Sequence, residues 1–123
     1  MASIGIDLGT TNSVGAFFDG RNPRILSSSR ADGLVPSVVT YRSQRPPDET
    51  EGTILVGQAA LNHAHKDPPN AIFSVKRLMG RHYEDPKVTE VADRLNYSVV
   101  HSADSKSAGV RVMLGGKEYT PVE

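Results

Sequence analysis

One stretch near the start of the chain decides its fold: Ser3-Ile4-Gly5-Ile6-Asp7-Leu8-Gly9. Its apolar residues predict a short β-strand, and Gly9 predicts a tight turn where that strand ends. A second strand is predicted at 13–19, and the dipeptide Asp19-Gly20 that closes it is typical of a hairpin turn. A third strand is predicted at 24–27. The chain therefore opens as an antiparallel meander of neighbouring strands joined by short turns.

The residues that end the first predicted strand suit phosphate binding: Asp7-Leu8-Gly9-Thr10-Thr11-Asn12-Ser13. A carboxylate at a strand end can face a Mg²⁺ ion and the waters that this ion keeps, which makes Asp7 a candidate metal residue. Gly9 lets the backbone turn tightly, and the amides and hydroxyls of Thr10 and Thr11 can then point at phosphate oxygens. The stretch is not a Walker loop, which requires a Gly-Lys pair before a helix. An ordinary glycine turn remains the alternative.

Beyond the meander, the sequence predicts alternating strands and helices. Polar residues at 28–35 lead to further strands, which are predicted at 37–41, 54–56, 97–101, 110–114 and 117–120. Helices are predicted at 57–66, at 71–79 with Gly80 as the C-terminal cap, and from Pro86 onward with an apolar stripe of Val88, Val91, Ala92 and Leu95. The segment 42–52 is rich in Pro, Asp and Glu, which predicts an exposed loop.

A second candidate for phosphate chemistry is the lysine in Phe73-Ser74-Val75-Lys76-Arg77-Leu78-Met79-Gly80. The apolar residues of this stretch can dock on a core while Lys76 projects away from it. A lysine at a γ-phosphate would stabilise the charge that develops during phosphoryl transfer. A solvated surface lysine is the alternative. The neighbouring basic cluster of Arg77, Arg81 and His82 is interpreted as a solvated face.

Composition excludes several classes of function. The chain has 14 Lys and Arg against 14 Asp and Glu, so no net field attracts it to nucleic acid or to an anionic membrane. It has no cysteine, which removes disulfides, thiolate zinc sites and cysteine nucleophiles. No apolar run approaches the roughly 18 residues of a membrane span, and the sequence predicts a cytoplasmic protein without nucleic-acid or membrane partners.

Four motifs taken together resemble one family, the seventy-kilodalton heat-shock chaperones of the DnaK type. The motifs occur in that family's order and are Ile4 to Ser13, Pro36-Ser37-Val38-Val39, Val56-Gly57-Gln58-Ala59-Ala60 and 73–81. The first is shared with sugar kinases and other actin-like ATPases, whereas the last two single out the chaperones. The resemblance implies an α/β fold, a partial actin-like (ribonuclease H-like) ATPase lobe with a mixed β-sheet and flanking helices.

The resemblance also implies a nucleotide site and a set of partners. Gly9, Thr10, Thr11 and Asn12 would lie on the first phosphate loop, Asp7 near Mg²⁺, and Lys76 at the position of the lysine that supports hydrolysis of ATP to ADP. In the family, this hydrolysis controls the binding and release of unfolded polypeptides, with J-domain co-chaperones and nucleotide exchange factors as partners. Leu34-Val35 replace a Thr-Thr pair that is typical of the family, which suggests a divergent member.

Residues 1–123 are thus expected to be the N-terminal fragment of an actin-like nucleotide-binding domain. Its parts would be a first phosphate loop near 7–13, an exposed loop at 42–52, a portion of the helical lobe at 57–95 and a C-terminal β-hairpin at 97–120. The second phosphate loop and the adenosine pocket are expected beyond residue 123, so the chain alone should bind ATP weakly or not at all and be inactive. An uncovered sheet edge should favour association. The alternatives are a fragment of an actin-like sugar or acyl kinase, and a non-enzymatic interaction module.

Overall fold

A computed structural model describes residues 3–28, 30–43, 52–102 and 109–123. Most of the loop predicted at 42–52 lies outside these ranges. The first six strands of the described residues are β1 (Ile4–Leu8), β2 (Asn12–Phe18), β3 (Pro23–Ile25), β4 (Val35–Pro36), β5 (Val38–Arg42) and β6 (Thr53–Val56). The remaining elements are α1 (Gln58–Ala64), a first 3₁₀ turn (Pro68–Asn70), β7 (Ala71–Phe73), a second 3₁₀ turn (Val75–Leu78), α2 (Pro86–Ala92), β8 (Val99–His101), β9 (Val110–Leu114) and β10 (Lys117–Tyr119).

The predicted opening meander is confirmed. Strand β2 lies between β1 and β3 and pairs antiparallel with both, and β4 pairs with β2 at its other end. The turn between β2 and β3 is held by Asp19, whose carboxylate accepts from the amides of Arg21 and Asn22 at 2.8 Å. Gly20 takes a φ of 94°, which explains the glycine at that place in the turn. Every strand pairing among the described residues is antiparallel, so the mixed sheet expected from the family resemblance is not present in them.

The helix predicted at 71–79 is wrong. Ala71–Phe73 form strand β7, which pairs antiparallel with β5 and completes a sheet of order β6-β5-β7. Ser74 then takes a left-handed backbone with a φ of 54°, and only the short 3₁₀ turn Val75–Leu78 follows. β-branched and aromatic residues pack well on a pleated surface, so pairing of Ile72 and Phe73 with β5 outweighs the helical preference of the segment. Gly80, expected as a helical cap, instead follows the 3₁₀ turn with a φ of 69°.

The main core lies between the C-terminal sheet and α2. Strands β8, β9 and β10 form a sheet of order β10-β9-β8 and correspond to the three strands predicted at 97–101, 110–114 and 117–120, within the region expected to form a C-terminal β-hairpin. Burial of one large aliphatic side chain contributes about 1.5–3 kcal/mol, so this cluster is the main source of stability among the described residues. The cluster consists of Ile72, Leu78, Val88, Tyr97, Val110, Val112 and Leu114.

Both α-helices are short. Helix α2 begins after Asp85, whose side chain accepts from the amide of Lys87 at 2.9 Å, and Pro86 occupies its first turn as predicted. Its residue Val88 is buried in the core, as the apolar stripe predicted. Helix α1 contacts strand β5 and buries Ala60 completely. Within the described ranges, none of the helices has the length and apolar character that spanning a bilayer requires.

The first sheet exposes apolar side chains. Strand β1 has β2 as its one partner among the described residues, so its other edge is open. Ile4, Ile6 and Leu8 of this strand are 62%, 75% and 48% exposed. Backbone pairing with β2 therefore stabilises the strand that leads to the candidate phosphate loop, and burial of its side chains contributes little.

Candidate functional site

The turn between β1 and β2 is built around Gly9. A Cβ atom at this position would lie 2.1 Å from the backbone oxygen of Asn12, far inside contact distance, so no other residue fits without moving the turn. Asn12 opens β2 opposite Pro36 of β4. Asp7 lies two residues before the glycine, exposed on β1 and opposite Val14. The predicted tight turn after the first strand is thus confirmed.

The top of this turn presents unused donors. Thr10 and Thr11 lie between the two strands, the first half-buried and the second exposed. Among the described residues, no hydrogen bond involves either hydroxyl or either backbone amide. Two adjacent residues with free N–H and O–H groups on a fixed turn suit an anion, because nothing in the described chain competes for these donors.

Ser37 holds the turn from behind. Its amide donates to the carbonyl of Thr11 at 2.9 Å, and its hydroxyl donates to the carbonyl of Gly9 at 2.8 Å. The hydroxyl of Ser13 lies 2.9 Å from the same Ser37 hydroxyl. These bonds use the carbonyls of the turn and so fix its backbone without occupying the threonine donors. Sequence analysis missed this role, because the partners are 24 to 28 residues apart and no local pattern marks them.

Lys76 joins the second candidate motif to the first. Its ammonium Nζ donates to the carbonyl oxygen of Leu8 at 2.6 Å, across 68 residues of sequence. Leu8 is the last residue of β1 and lies between Asp7 and Gly9. The ammonium group of this exposed lysine therefore has a protein partner as well as solvent. The exposed Lys76 side chain reaches the entrance of the phosphate-loop candidate.

The 3₁₀ turn that carries Lys76 is fixed to the core at both ends. Leu78 at its C-terminal end is fully buried. Before its start, the hydroxyl of Tyr97 donates to the carbonyl of Phe73 at 2.7 Å, and the two rings meet edge to face with centroids 5.7 Å apart. Burial raises the pKa of the Tyr97 phenol above its ordinary value, which keeps this donor protonated. Tyr97 is a second positioning residue that the sequence did not single out.

The site as a whole combines donors, a cation and a carboxylate at one end of β1. Gly9, Thr10 and Thr11 form the turn, and Lys76 reaches the residue just before it. Within the described ranges no three His, Cys, Asp or Glu residues cluster, so Asp7 is not part of a ligand set of three or more that could enclose a bare ion. Such a single carboxylate suits Mg²⁺, which keeps most of its waters. The role of Asp7 as a metal residue stays a prediction.

Comparison with known proteins places this chain in a family. The family model described as Hsp70 protein matches residues 3–123. The chain is 42% identical over 121 residues to the chaperone protein DnaK of Thermus thermophilus, an alignment that covers 98% of this chain and 18% of that protein. It is 41% identical over 99 residues to the chaperone protein DnaK of Buchnera aphidicola, which covers 80% of this chain and 14% of the relative.

The chain therefore spans less than a fifth of the length of these curated relatives, and its match begins with the strand that leads to Gly9 and includes the segment of Lys76. The two motifs that the Lys76–Leu8 hydrogen bond brings together both lie within the matched residues. By its family match and by its identity to two DnaK proteins, this chain belongs to the Hsp70 family.

Proposed function

We propose that this chain is the N-terminal part of the ATP-binding domain of a DnaK-type chaperone, with an actin-like fold in the complete domain. In this proposal the turn after β1 binds phosphate, and the complete protein couples ATP hydrolysis to the binding and release of unfolded polypeptides. J-domain co-chaperones and nucleotide exchange factors are its proposed partners, and the cytoplasm is its proposed location. The family match and the two DnaK relatives support the proposal.

One observation carries the proposal: the 2.6 Å hydrogen bond from Lys76 Nζ to the carbonyl of Leu8. It brings a cation to the end of the strand whose following turn offers free amides and hydroxyls. A cation near unpaired N–H and O–H donors suits a phosphate group, since charge-assisted hydrogen bonds are the stronger ones. Lys76 is exposed and, among the described residues, donates to one carbonyl, so its ammonium has donors left for a phosphate oxygen.

Each residue has a distinct proposed part. Thr10, Thr11 and Asn12 would bind phosphate oxygens, and Gly9 would allow the backbone to approach them. Lys76 would stabilise the negative charge on the terminal phosphate, and Asp7 would hold Mg²⁺ through its waters. Mg²⁺, when bound, would neutralise part of the negative charge on the phosphates. Since these residues form only one wall of a site, we expect the chain alone to hydrolyse no ATP.

A kinase fragment remains the less favoured function. The stretch 4–13 alone suits sugar and acyl kinases as well, but the family match extends over residues 3–123. A purely non-enzymatic interaction module would leave the free donors of Thr10 and Thr11 without a role.

Isothermal titration of the 123-residue chain with MgATP and MgADP gives the first test. We expect no heat of micromolar binding in a chain that circular dichroism shows to be folded. Micromolar binding that Asp7→Asn abolishes would show that this segment forms a nucleotide site by itself, against the proposal that further contacts are needed.

The role of Lys76 is tested in a chimera, in which this chain replaces the matching residues of the Thermus thermophilus relative. We expect Lys76→Ala to lower ATP turnover about 100-fold, the usual effect of removing one preorganised charge-stabilising donor, while nucleotide binding is largely kept. Lys66→Ala, which removes an exposed lysine just beyond α1, is the matched control. Turnover of the Lys76→Ala chimera equal to that of the control would refute the proposed role.

A further inference from the structure

A cavity of about 440 Å³ lies between the second 3₁₀ turn and helix α2, apart from the phosphate-loop candidate. Neither Lys76 nor any residue of the β1–β2 turn lines it. Its lining residues come from two neighbouring segments and are Phe73, Ser74, Arg77, Arg81, Lys87, Glu90, Val91, Arg94 and Leu95. A cavity of this size falls within the range of about 300–1,000 Å³ that is typical of ligand sites.

The lining of this cavity is strongly basic. It includes Arg77, Arg81, Lys87 and Arg94 against the single acid Glu90, in a chain whose total charge is zero. Of the basic cluster that the sequence predicts to be a solvated face, Arg77 and Arg81 line this cavity and His82 does not, and Arg77 and His82 are exposed. Concentrated charge of one sign on a concave surface attracts ligands of the opposite sign.

Two of the four cations are already paired. Arg81 contacts Asp85 at 2.9 Å, and Arg94 contacts Glu90 at 3.2 Å. Hydrogen bonds donated by the Lys87 backbone amide and by the Arg81 guanidinium hold the pKa of the Asp85 carboxyl below its ordinary value, so this pair stays charged at neutral pH. In the described part of the chain, Arg77 and Lys87 form no ion pair.

The floor of the cavity is apolar. Phe73, Val91 and Leu95 contribute half-buried side chains to it, and all three pack against the main core. A small inorganic anion would contact the cations and leave this apolar floor exposed to water. A ligand that carries both acidic groups and an apolar side chain would use the whole lining.

We propose that this cavity docks an acidic segment of a partner protein, with an apolar side chain on the floor and flanking carboxylates at Arg77 and Lys87. Charge complementarity selects this occupant, because the unpaired cations flank the apolar surface on both contributing segments. Arginine binds carboxylates through two parallel hydrogen bonds, which favours Asp and Glu side chains at the rim. This inference is independent of nucleotide binding.

The test is nuclear magnetic resonance titration of the ¹⁵N-labelled 123-residue chain with a blocked peptide of one phenylalanine flanked by glutamates. We expect shifts at Phe73, Val91 and Leu95, and weaker binding at higher salt. The double variant Arg77→Gln with Lys87→Gln should bind about 2- to 30-fold more weakly, the effect of two exposed ion pairs. Lys66→Gln with Lys117→Gln removes the same charge elsewhere and should bind like the unchanged chain.

Three results would overturn the proposal. Equal binding of a peptide with glutamine in place of glutamate would show that charge does not select the ligand. Equal loss of affinity in both double variants would show that the cavity is not the site. Displacement of the peptide by pyrophosphate at the same concentration, without shifts at the apolar floor, would assign the cavity to a small anion.

Discussion

Replacement of Tyr97 by phenylalanine removes one hydroxyl from the core and leaves the ring in place. That hydroxyl donates to the carbonyl of Phe73 at 2.7 Å, and Tyr97 is only 3% exposed. A hydrogen bond of this kind contributes about 0.5–1.5 kcal/mol, and a buried acceptor left without a donor costs about 1–3 kcal/mol. We expect Tyr97→Phe to lower the free energy of unfolding by about 1–2 kcal/mol at pH 7.

The same substitution should change the response of stability to alkali. Burial raises the pKa of Tyr97 in the folded chain above that of an unfolded tyrosine, about 10. The folded chain therefore binds this proton more tightly than the unfolded chain. The contribution of this difference to the free energy of unfolding is fully present below about pH 10. Above that pH the unfolded chain loses the proton first, so the free energy of unfolding falls by up to about 1.4 kcal/mol per pH unit.

Urea unfolding at neutral pH and at about one unit above the ordinary tyrosine pKa measures both effects. The difference in stability between the unchanged chain and Tyr97→Phe should shrink in alkali, because the variant lacks the titrating group. Tyr83→Phe is the control, since Tyr83 is 37% exposed and its hydroxyl forms no hydrogen bond among the described residues. A difference that stays constant or grows in alkali would refute the argument from burial.

Two further predictions concern the first sheet. Ser37→Ala removes the hydroxyl that contacts Gly9 and Ser13, so the free energy of unfolding measured by denaturant titration should fall by about 1–2 kcal/mol. The control Ser98→Ala, at an exposed serine, should change this free energy little. An equal effect of the two substitutions would argue against Ser37 as the anchor of the turn. The open edge and exposed face of β1 should make the chain associate as its concentration rises, and Ile6→Lys should suppress this in sedimentation analysis. The control is Val122→Lys, at a residue that is also 75% exposed but lies outside the sheets, and it should leave association unchanged. If Ile6→Lys still associates, β1 is not the contact surface.

Much of the fold could be predicted where the signal was local. The strand before Gly9, the Asp19-Gly20 turn and the helix that begins at Pro86 are all confirmed, because turn and cap residues act within a few positions of themselves. The segment 71–79 failed for the opposite reason. Pairing with β5 stabilises β7 more than the local helix preference would stabilise a helix there. Strand β5 lies more than 30 residues earlier in the chain, so no local pattern shows this pairing.

The residues of the candidate site also fall into those that the sequence predicted and those that only the structure revealed. The sequence identified Gly9, Thr10, Thr11 and Lys76 as residue types suited to phosphate, but it left an ordinary turn and a solvated lysine open. It did not reveal the anchoring roles of Ser37 and Tyr97, whose hydroxyls donate to backbone carbonyls. A carbonyl is present at every residue, so no side-chain pattern marks the one that a distant hydroxyl will contact.

By itself, the sequence determined the chemistry available to this protein: a glycine turn with two threonines after an apolar strand, one lysine in an apolar segment, and a balanced charge without cysteine. Only the tertiary structure decided how these groups meet. It placed Lys76 on the carbonyl of Leu8 and gathered four cations around an apolar floor. The physical reason is that turns and caps are short-range interactions, whereas hydrogen bonds and cavities between distant segments depend on how the whole core packs.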